Sequence, residues 1–298
     1  MSDLFTATTA AEVEEDLARG EDIEEERHVD WADKRTPLLS ACKRGELEVV
    51  DCLLNHGADP EHAPLQTMCP LISASQGGHA AIVERLIRSG ANINDNREGS
   101  TALIMASEEG HVDVVECLLS HGADTETTGW SDNTALMAAS YKRRIDVVDR
   151  LLAAGCDVNA VDEFCTSSLM LAAQEGHVPI IDRLVVHGAD VNLCDNGEMN
   201  ALMLACSSGR IEAVDRLLSL GCDVNAQDQE GMTALMFSCI RNGIDIVRVL
   251  LDHGADPLLC NKDGKRVIDL AVLSPEIQTL LNGLILLSFH HHHHHHAP

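Results

Sequence analysis

The segment Thr101–Asp124 has the hydrophobic pattern of two short amphipathic helices. Its apolar positions are Leu103, Ile104 and Ala106 in the first half and Val114, Val115, Leu118 and Leu119 in the second. The second set follows the three-and-four spacing of a helix with one buried face. Gly110 separates the halves, and Gly122 supplies a residue that tolerates left-handed geometry at the helix end. The pattern predicts a helix–turn–helix unit whose apolar faces need neighbouring units to bury them.

Neighbouring units are present, because the same pattern recurs every 33 residues, with one interval of 32. The positions equivalent to Thr101 are Thr36, Cys69, Thr134, Ser167, Asn200, Thr233 and Arg266. A leucine stands two residues later in seven copies, and a glycine stands 21 residues later in the same seven. A period this regular indicates a solenoid, in which each unit packs on its neighbours.

Short motifs recur inside these copies: Thr36-Pro37-Leu38, Gly110-His111, Gly176-His177, and Gly-Ala-Asp at 57–59, 122–124, 188–190 and 254–256. Together they resemble ankyrin repeats over nearly the whole chain. The resemblance implies an all-α solenoid of stacked helix-turn-helix units with finger loops. Two parts of the family pattern are incomplete. Arg143 and Asn242 replace the glycine between the helices, and the finger-turn glycine occurs only at Gly99, Gly231 and Gly264. The pattern therefore leaves the local turns of repeats 1, 2, 4, 5 and 6 undefined.

The repeats divide the chain into four regions. We expect an acidic N-terminal capping unit at residues 1–30, seven repeats at 31–257, a C-terminal capping unit at 258–289 and a purification tag at 290–298. The segment Glu12–Glu26 is strongly acidic, which suits the polar outer face of a terminal repeat. An acidic docking segment is the alternative interpretation. His28–Asp33, which contains Trp31, predicts a longer connection than usual.

Composition limits the classes of partner. The formal net charge of −27 argues against nucleic acid and against an anionic membrane surface, since both attract cationic proteins. Aromatic residues make up only 2% of the chain, so we expect an aliphatic core. The 11 cysteines mostly replace small residues at repeated positions, which predicts reduced, buried thiols. A disulfide scaffold or a metal cluster is the alternative interpretation. The N-terminus is polar and acidic, unlike a signal peptide. We therefore expect a cytoplasmic protein, with a nuclear location also open.

The sequence contains no phosphate-binding glycine loop, no zinc-protease motif and no nucleophile elbow. We therefore predict a protein that is not an enzyme and that needs no cofactor or metal. The histidines stand in two ladders, at His56, His121, His187 and His253 and at His79, His111 and His177. Copies lie a repeat apart, which favours helix-end hydrogen bonds over a shared ion. Met137, Met170, Met203 and Met236 form a third ladder, predicted to be core.

Partner binding is the function that the resemblance implies, through the finger loops and the exposed ends of the first helices. Three of the few aromatic residues fall there: Trp130, Tyr141 and Phe164. Lys142, Arg143 and Arg144 lie beside them, and Arg97, Met199, Met232 and Arg241 occupy equivalent positions in other repeats. Aromatic anchors often dominate interface energies. We predict a protein or peptide partner, one with an acidic group if the cations take part. Ordinary packing between fingers is the competing interpretation of the aromatic residues.

Alternatives of other classes stay open. The chain could serve as a structural spacer or self-associate through the apolar segment Leu284–Phe289, or be the targeting domain of a larger enzyme. A monomer is favoured over an oligomer. The segments ending in Asn159 and Asn225 resemble those that asparaginyl hydroxylases modify in ankyrin-like proteins, which implies candidate hydroxylation at both residues.

Overall fold

The computed structural model describes residues 2–31, 33–270 and 272–295, and the chain forms two compact units that divide after Asp157. The first unit contains α1 Ala10–Ala18, β1 Arg27–Asp30, β2 Asp33–Arg35, α2 Pro37–Arg44, α3 Leu47–Asn55, α4 Pro70–Gln76, α5 Ala80–Arg88, α6 Ala102–Glu109, α7 Val112–Ser120, the 3₁₀ turn Trp130–Asp132, α8 Ala135–Tyr141 and α9 Ile145–Ala153. The second contains α10 Ser168–Glu175, α11 Val178–Val186, α12 Ala201–Ser207, α13 Ile211–Ser219, α14 Ala234–Ile240, α15 Ile244–Asp252, α16 Val267–Leu270 and α17 Pro275–His295.

The first helix of most repeats starts immediately after the residue that defines the repeat. In six copies the side-chain oxygen of that residue accepts a hydrogen bond from the backbone N–H three residues later. These capping residues are Thr36, Thr101, Thr134, Ser167, Asn200 and Thr233. Each cap satisfies an N–H that the helix leaves unpaired and contributes about 1 kcal/mol. In the second repeat Pro70 opens the helix after Cys69 and brings no N–H to satisfy. The 33-residue period is therefore a period of helix starts.

A residue with left-handed backbone geometry lies between the two helices of each repeat. Glycine supplies it in most copies, as at Gly110 with φ 77°. Arg143 and Asn242 take the same geometry, with φ 62° and 58°. An L-residue pays about 1–2 kcal/mol for this conformation. The turn is thus kept where the glycine is missing, at a local cost in stability.

Helix pairs stack in register within each unit, which confirms the predicted fold class. In the first unit α2, α4, α6 and α8 pack in order, as do α1, α3, α5, α7 and α9. In the second unit α10, α12, α14 and α16 form one row, and α11, α13, α15 and α17 form the other. The methionine ladder lies in the core as predicted: Met137, Met170 and Met203 are each 1% exposed and Met236 is fully buried. Among the cysteines Cys206 is fully buried, as predicted, and burial raises the pKa of its thiol to about 12. Cys194 and Cys260 are exposed, so the prediction of buried thiols is wrong for these two.

A second ladder joins successive repeats at the base of the fingers. In each copy a carboxylate or amide oxygen accepts a hydrogen bond from a backbone N–H of the next repeat. The acceptors and donors are Glu24 and Asp59, Glu61 and Asn92, Asn94 and Asp124, Glu126 and Asp157, Asn159 and Asp190, Asn192 and Asp223, and Asn225 and Asp256. The distances between these atoms run from 2.7 Å to 3.2 Å. Regular hydrogen bonds therefore hold the fingers in place within each unit.

The N-terminal region contains a β-hairpin where the sequence predicts only a long connection. Strands β1 and β2 pair antiparallel, with Arg27 opposite Arg35 and His28 opposite Lys34. Trp31 lies at the tip of the hairpin and is 94% exposed. The strands are short and rich in charge, without the alternation that identifies a half-buried strand. The sequence pattern therefore does not predict the hairpin.

At the other end, α16 and α17 cover the last repeat. Val267, Ile277 and Leu281 are buried, whereas Leu286 and Leu287 are 61% and 68% exposed. Among the described residues, no helix combines the length and apolar character needed to cross a bilayer.

Candidate functional site

Trp130 stands on the finger of the fourth repeat and is 73% exposed. Its backbone N–H donates to the carbonyl of Gly99 in the preceding finger, at 2.8 Å. Its indole lies over the same glycine, so closely that a Cβ at Gly99 would fall 2.2 Å from a ring carbon. Gly99 has φ 79°, a conformation that glycine adopts without cost. The ring therefore rests on one finger while most of its surface faces solvent.

The finger turns of repeats 3 to 7 each place a residue at positive φ although their sequences differ. Gly99 and Gly231 have positive φ, and the equivalent residues Asp132, Cys165 and Glu198 also have φ near 60°. The sequence pattern left these turns undefined in repeats 4, 5 and 6.

Aspartate side chains stabilise several of these turns. In repeat 5 one carboxylate oxygen of Asp162 accepts the N–H groups of Phe164 and Thr166, both at 2.9 Å. Asp195 and Asp228 do the same in repeats 6 and 7. Side-chain acceptors of this kind favour turns. They offset part of the cost of placing a non-glycine residue in left-handed geometry.

Tyr141 ends α8 and is 46% exposed. The Nζ atom of Lys142, the next residue, lies 5.7 Å from the centre of the tyrosine ring, within the range of a cation–π contact. Lys142 and Arg143 are both exposed. An aromatic ring and two cations thus share the end of one first helix.

Arg144 has a structural contact that the sequence did not reveal. Its Nε donates to the carbonyl of Glu108, at 3.0 Å, and its side chain covers Gly110 at the end of α6. The same contact recurs in other repeats, from Arg210 to Gln174, from His111 to Gln76 and from Arg241 to Ser207. Cations near the last carbonyls of a helix satisfy those groups and complement the helix dipole. Arg144 and Arg241, both predicted to contact a partner, therefore also cap the preceding repeat.

Arg97 is held by Asp95 of its own finger and by Glu61 of the preceding finger. Its guanidinium lies 2.6 Å from the carboxylate of Asp95, which is 4% exposed, and 3.3 Å from the carbonyl of Glu61. Burial raises the pKa of Asp95, but hydrogen bonds and the charge of Arg97 outweigh burial, so that the pKa falls below its usual value. Arg97 is itself exposed, and its position is fixed in advance of any contact with a partner.

The remaining predicted contact residues belong to the second unit. Phe164 is 55% exposed, and its carbonyl accepts the N–H of Asn196 in the next finger, at 3.0 Å. Met199 and Met232 are half-buried on later fingers, and Arg241 is exposed. Trp130 and Tyr141 belong to the first unit, so the predicted residues form two sets.

The two candidate hydroxylation residues have both ends of their amide groups engaged. Asn159 donates to the carbonyl of Gly188, at 3.1 Å, and accepts from the N–H of Asp190, at 2.9 Å. Asn225 makes equivalent bonds of 3.2 Å and 2.8 Å in a later repeat. Both residues are part of the ladder between repeats, and their modification stays a prediction.

The predicted helix-end hydrogen bonds of the histidines are confirmed at three positions. Nδ1 of His121 lies 2.8 Å from the carbonyl four residues earlier, and Nδ1 of His187 and His253 lies 2.9 Å from the equivalent carbonyl. His56 occupies the same position in the first repeat but turns elsewhere, with Nε2 2.7 Å from a carboxylate oxygen of Glu14.

Comparison with known proteins agrees with this architecture. The sequence pattern described as Ankyrin repeats (3 copies) matches residues 10–97, 71–162, 169–261 and 215–284. Human Ankyrin repeat domain-containing protein 63 is 39% identical over 74 residues, which cover 23% of this chain and 20% of that protein. Human Ankyrin repeat and KH domain-containing protein 1 is 44% identical over 71 residues, 24% of this chain and 3% of that protein. The matched part thus spans a fifth or less of these relatives. With its stacked helix pairs and its matches from residue 10 to residue 284, the chain belongs to the ankyrin repeat family.

Proposed function

We propose that this chain is a non-catalytic module that binds a protein or peptide through its finger loops and first-helix ends. Ankyrin repeats typically act in protein–protein interaction, which supports the class of function. The observation that carries the proposal is Trp130, a ring that is 73% exposed and yet held on Gly99. In a chain with 2% aromatic residues, a ring that packs on the preceding finger and still leaves most of its surface exposed favours a contact residue over a ring that only packs one finger on the next.

The way in which Trp130 is held favours binding. A side chain already fixed in one orientation loses little conformational entropy when a partner covers it. Tyr141, in the same repeat, adds a second half-exposed ring. Both rings have two side-chain torsions and a large apolar face. Together they supply contact area at a low entropic cost.

The charges of this surface favour a partner with an acidic group. Lys142 and Arg143 are exposed beside Tyr141, and Arg97 is held on the neighbouring finger. The rest of the chain is strongly acidic, with a formal net charge of −27. Cations on such a background mark the place where an acidic partner meets the least repulsion. Binding should weaken as salt is added, since exposed charges are screened over roughly 8–10 Å.

The second unit contributes a set of its own to the proposal. Phe164, Met199 and Met232 present apolar groups on successive fingers, and Arg241 adds a cation at a first-helix end. Methionine is flexible and polarizable and adapts to varied partner surfaces. We assign this set to contacts with the same partner or with a second segment of it.

A self-associating spacer is the second candidate. The exposed side chains of Leu286 and Leu287, on a helix that caps the last repeat, favour it. Light scattering on the chain with and without residues 284–289 separates the two functions. A mass that falls from dimer to monomer on truncation supports the spacer, and a monomer in both cases contradicts it.

Site-specific crosslinking tests the binding proposal. A photo-reactive amino acid replaces the exposed Lys142, beside Tyr141, in one variant, so that Trp130 is kept. In a second variant it replaces Trp31, which is also exposed but lies on the hairpin. After exposure to a lysate of the source organism, we expect a saturable crosslinked species from position 142 that unmodified chain competes away. Equal crosslinking from both positions, or crosslinking without competition, contradicts the proposal.

A further inference from the structure

Three potential metal ligands lie close together where the N-terminal capping helix α1 packs on the first repeat. Glu14 lies on α1, and Cys52 and His56 lie one helical turn apart at the end of α3. A carboxylate oxygen of Glu14 is 2.7 Å from Nε2 of His56 and 3.6 Å from Sγ of Cys52. All three ligand atoms lie within 4.8 Å of one another. Among the side chains that the structure describes, in residues 2–31, 33–270 and 272–287, this is the group that brings three such ligands together.

The third repeat offers an internal comparison. Cys117 and His121 occupy the positions equivalent to Cys52 and His56, and Glu84 occupies the position equivalent to Glu14. There the imidazole turns toward its own helix, with Nδ1 2.8 Å from the carbonyl of Cys117. The same residue types at the same positions thus adopt two arrangements. Only in the first repeat does the imidazole face the carboxylate of the neighbouring unit, among the residues that the structure describes.

We propose that Glu14, Cys52 and His56 bind a zinc ion. Thiolate, imidazole and carboxylate are the ligands that zinc uses, whereas Ca²⁺ and Mg²⁺ prefer oxygen alone. At zinc–ligand bond lengths of about 2.0–2.3 Å, tetrahedral geometry separates ligand atoms by about 3.4–3.6 Å. The distance between Glu14 and Cys52 already fits, and that between Glu14 and His56 widens by about 0.7 Å when the ion enters. The fourth position is left to water or to a donor from a partner.

Exposure and charge suit an entering cation. The side chains of Glu14 and His56 are 58% and 39% exposed, so the ion has an open path. Cys52 lies behind them and is 7% exposed. The carboxylates of Glu14 and Glu48 lie close enough to act electrostatically on the thiol, and their negative charge attracts a cation to this place. The ion would link α1 to α3, two helices that are distant in the sequence.

The sequence-based expectation of no metal rested on the distance between copies of one repeated position. The distance between repeats does not affect the proposed site, because Cys52 and His56 come from a single helix and Glu14 comes from the capping unit packed on it. Residues four apart on a helix lie on the same face and can hold one ion between them.

Cobalt(II) provides the test, since it occupies zinc sites and a cobalt–thiolate bond gives a charge-transfer absorption in the near ultraviolet. The histidine run His290–His296 also binds cobalt but contains no thiol, so this absorption reports cysteine ligation alone. Once the histidine run has taken up its cobalt, we expect the thiolate band to saturate at one further equivalent of cobalt. The band should disappear when zinc is added.

Variants identify the ligands. Cys52→Ala should abolish the band, and His56→Gln, at an exposed position, should weaken cobalt binding by roughly tenfold or more. The matched control Cys117→Ala should leave both band and affinity unchanged. Circular dichroism checks that each variant keeps its helices. The proposal is overturned if the wild type shows no thiolate band, if His56→Gln binds cobalt as tightly as the wild type, or if the band depends on Cys117 instead of Cys52.

Discussion

The contact between Trp130 and Gly99 leads to a quantitative prediction about the finger surface. Replacing Gly99 by alanine places a Cβ 2.2 Å from the indole, so the ring must leave its place. Trp130 is 73% exposed, and about a quarter of its surface is therefore covered. With about 250 Å² for the whole side chain, the covered part is about 65 Å². At about 25 cal/mol per Å², moving the ring away costs at most about 1.6 kcal/mol.

The same substitution has a second cost that does not depend on the ring. Gly99 has φ 79°, and an alanine in that conformation loses about 1–2 kcal/mol. Gly99→Ala should therefore lower the free energy of unfolding by about 3 kcal/mol in the wild type. In a Trp130→Ala background it should cost only about 1–2 kcal/mol, since the ring is gone. The coupling energy between the two positions is expected near 1.5 kcal/mol.

Urea unfolding of the four proteins of this double-mutant cycle, followed by circular dichroism, measures the coupling. Gly264→Ala is the matched control, because Gly264 has φ 75° at the equivalent finger turn and no heavy atom lies within 4 Å of its added Cβ among the residues described. The control should cost about 1–2 kcal/mol in both backgrounds. A coupling energy near zero at Gly99 would show that Trp130 does not rest on the neighbouring finger.

Three further predictions concern the repeats and their caps. Met170→Ala should destabilise the protein by about 2–5 kcal/mol, because Met170 is 1% exposed, and thermal unfolding measures the loss. Arg144→Ala should cost about 1 kcal/mol and increase amide exchange at the end of α6, since it removes the donor to Glu108; unchanged exchange would refute the capping role. Burial lowers the pKa of His62, but hydrogen bonds to Glu24 and Glu26 more than offset burial and raise it above the usual 6.5. Stability from this contact should be fully present below pH 6.5 and be lost as pH rises through the raised pKa, so a His62→Gln variant should approach wild-type stability in alkaline buffer.

The periodic features of this chain are the ones that sequence reasoning predicted well. The spacing alone predicts the 33-residue unit of two helices, although it does not identify the recurring Thr, Ser or Asn as the residue that caps the first helix. The methionine ladder followed from the same period, since equivalent positions of a repeat share one environment. Both predictions needed only the residues within one unit and its neighbours.

Features that depend on the path of a single side chain were not predicted. Arg144 reaches back 36 residues to Glu108, and its identity alone does not separate a helix cap from a partner contact. Arg143 adopts left-handed geometry although the residue type disfavours it, because the flanking helices fix the turn. The contact between Glu14 and His56 depends on the side-chain rotamer of His56. The equivalent His121 adopts a different rotamer, so the residue type alone does not decide between the two.

Binding of a partner through the finger that carries Trp130 can be tested directly. The most direct measurement is the affinity of the crosslinked partner, once purified, for the wild type, Trp130→Ala and Trp31→Ala. Trp130→Ala should weaken binding by about 2 kcal/mol, or roughly 30-fold, because it removes an aromatic anchor. Trp31→Ala removes an equally large exposed ring but should bind as the wild type does, because Trp31 lies on the hairpin and not on this finger. Equal affinities of all three proteins, or a loss confined to Trp31→Ala, would contradict binding through this finger.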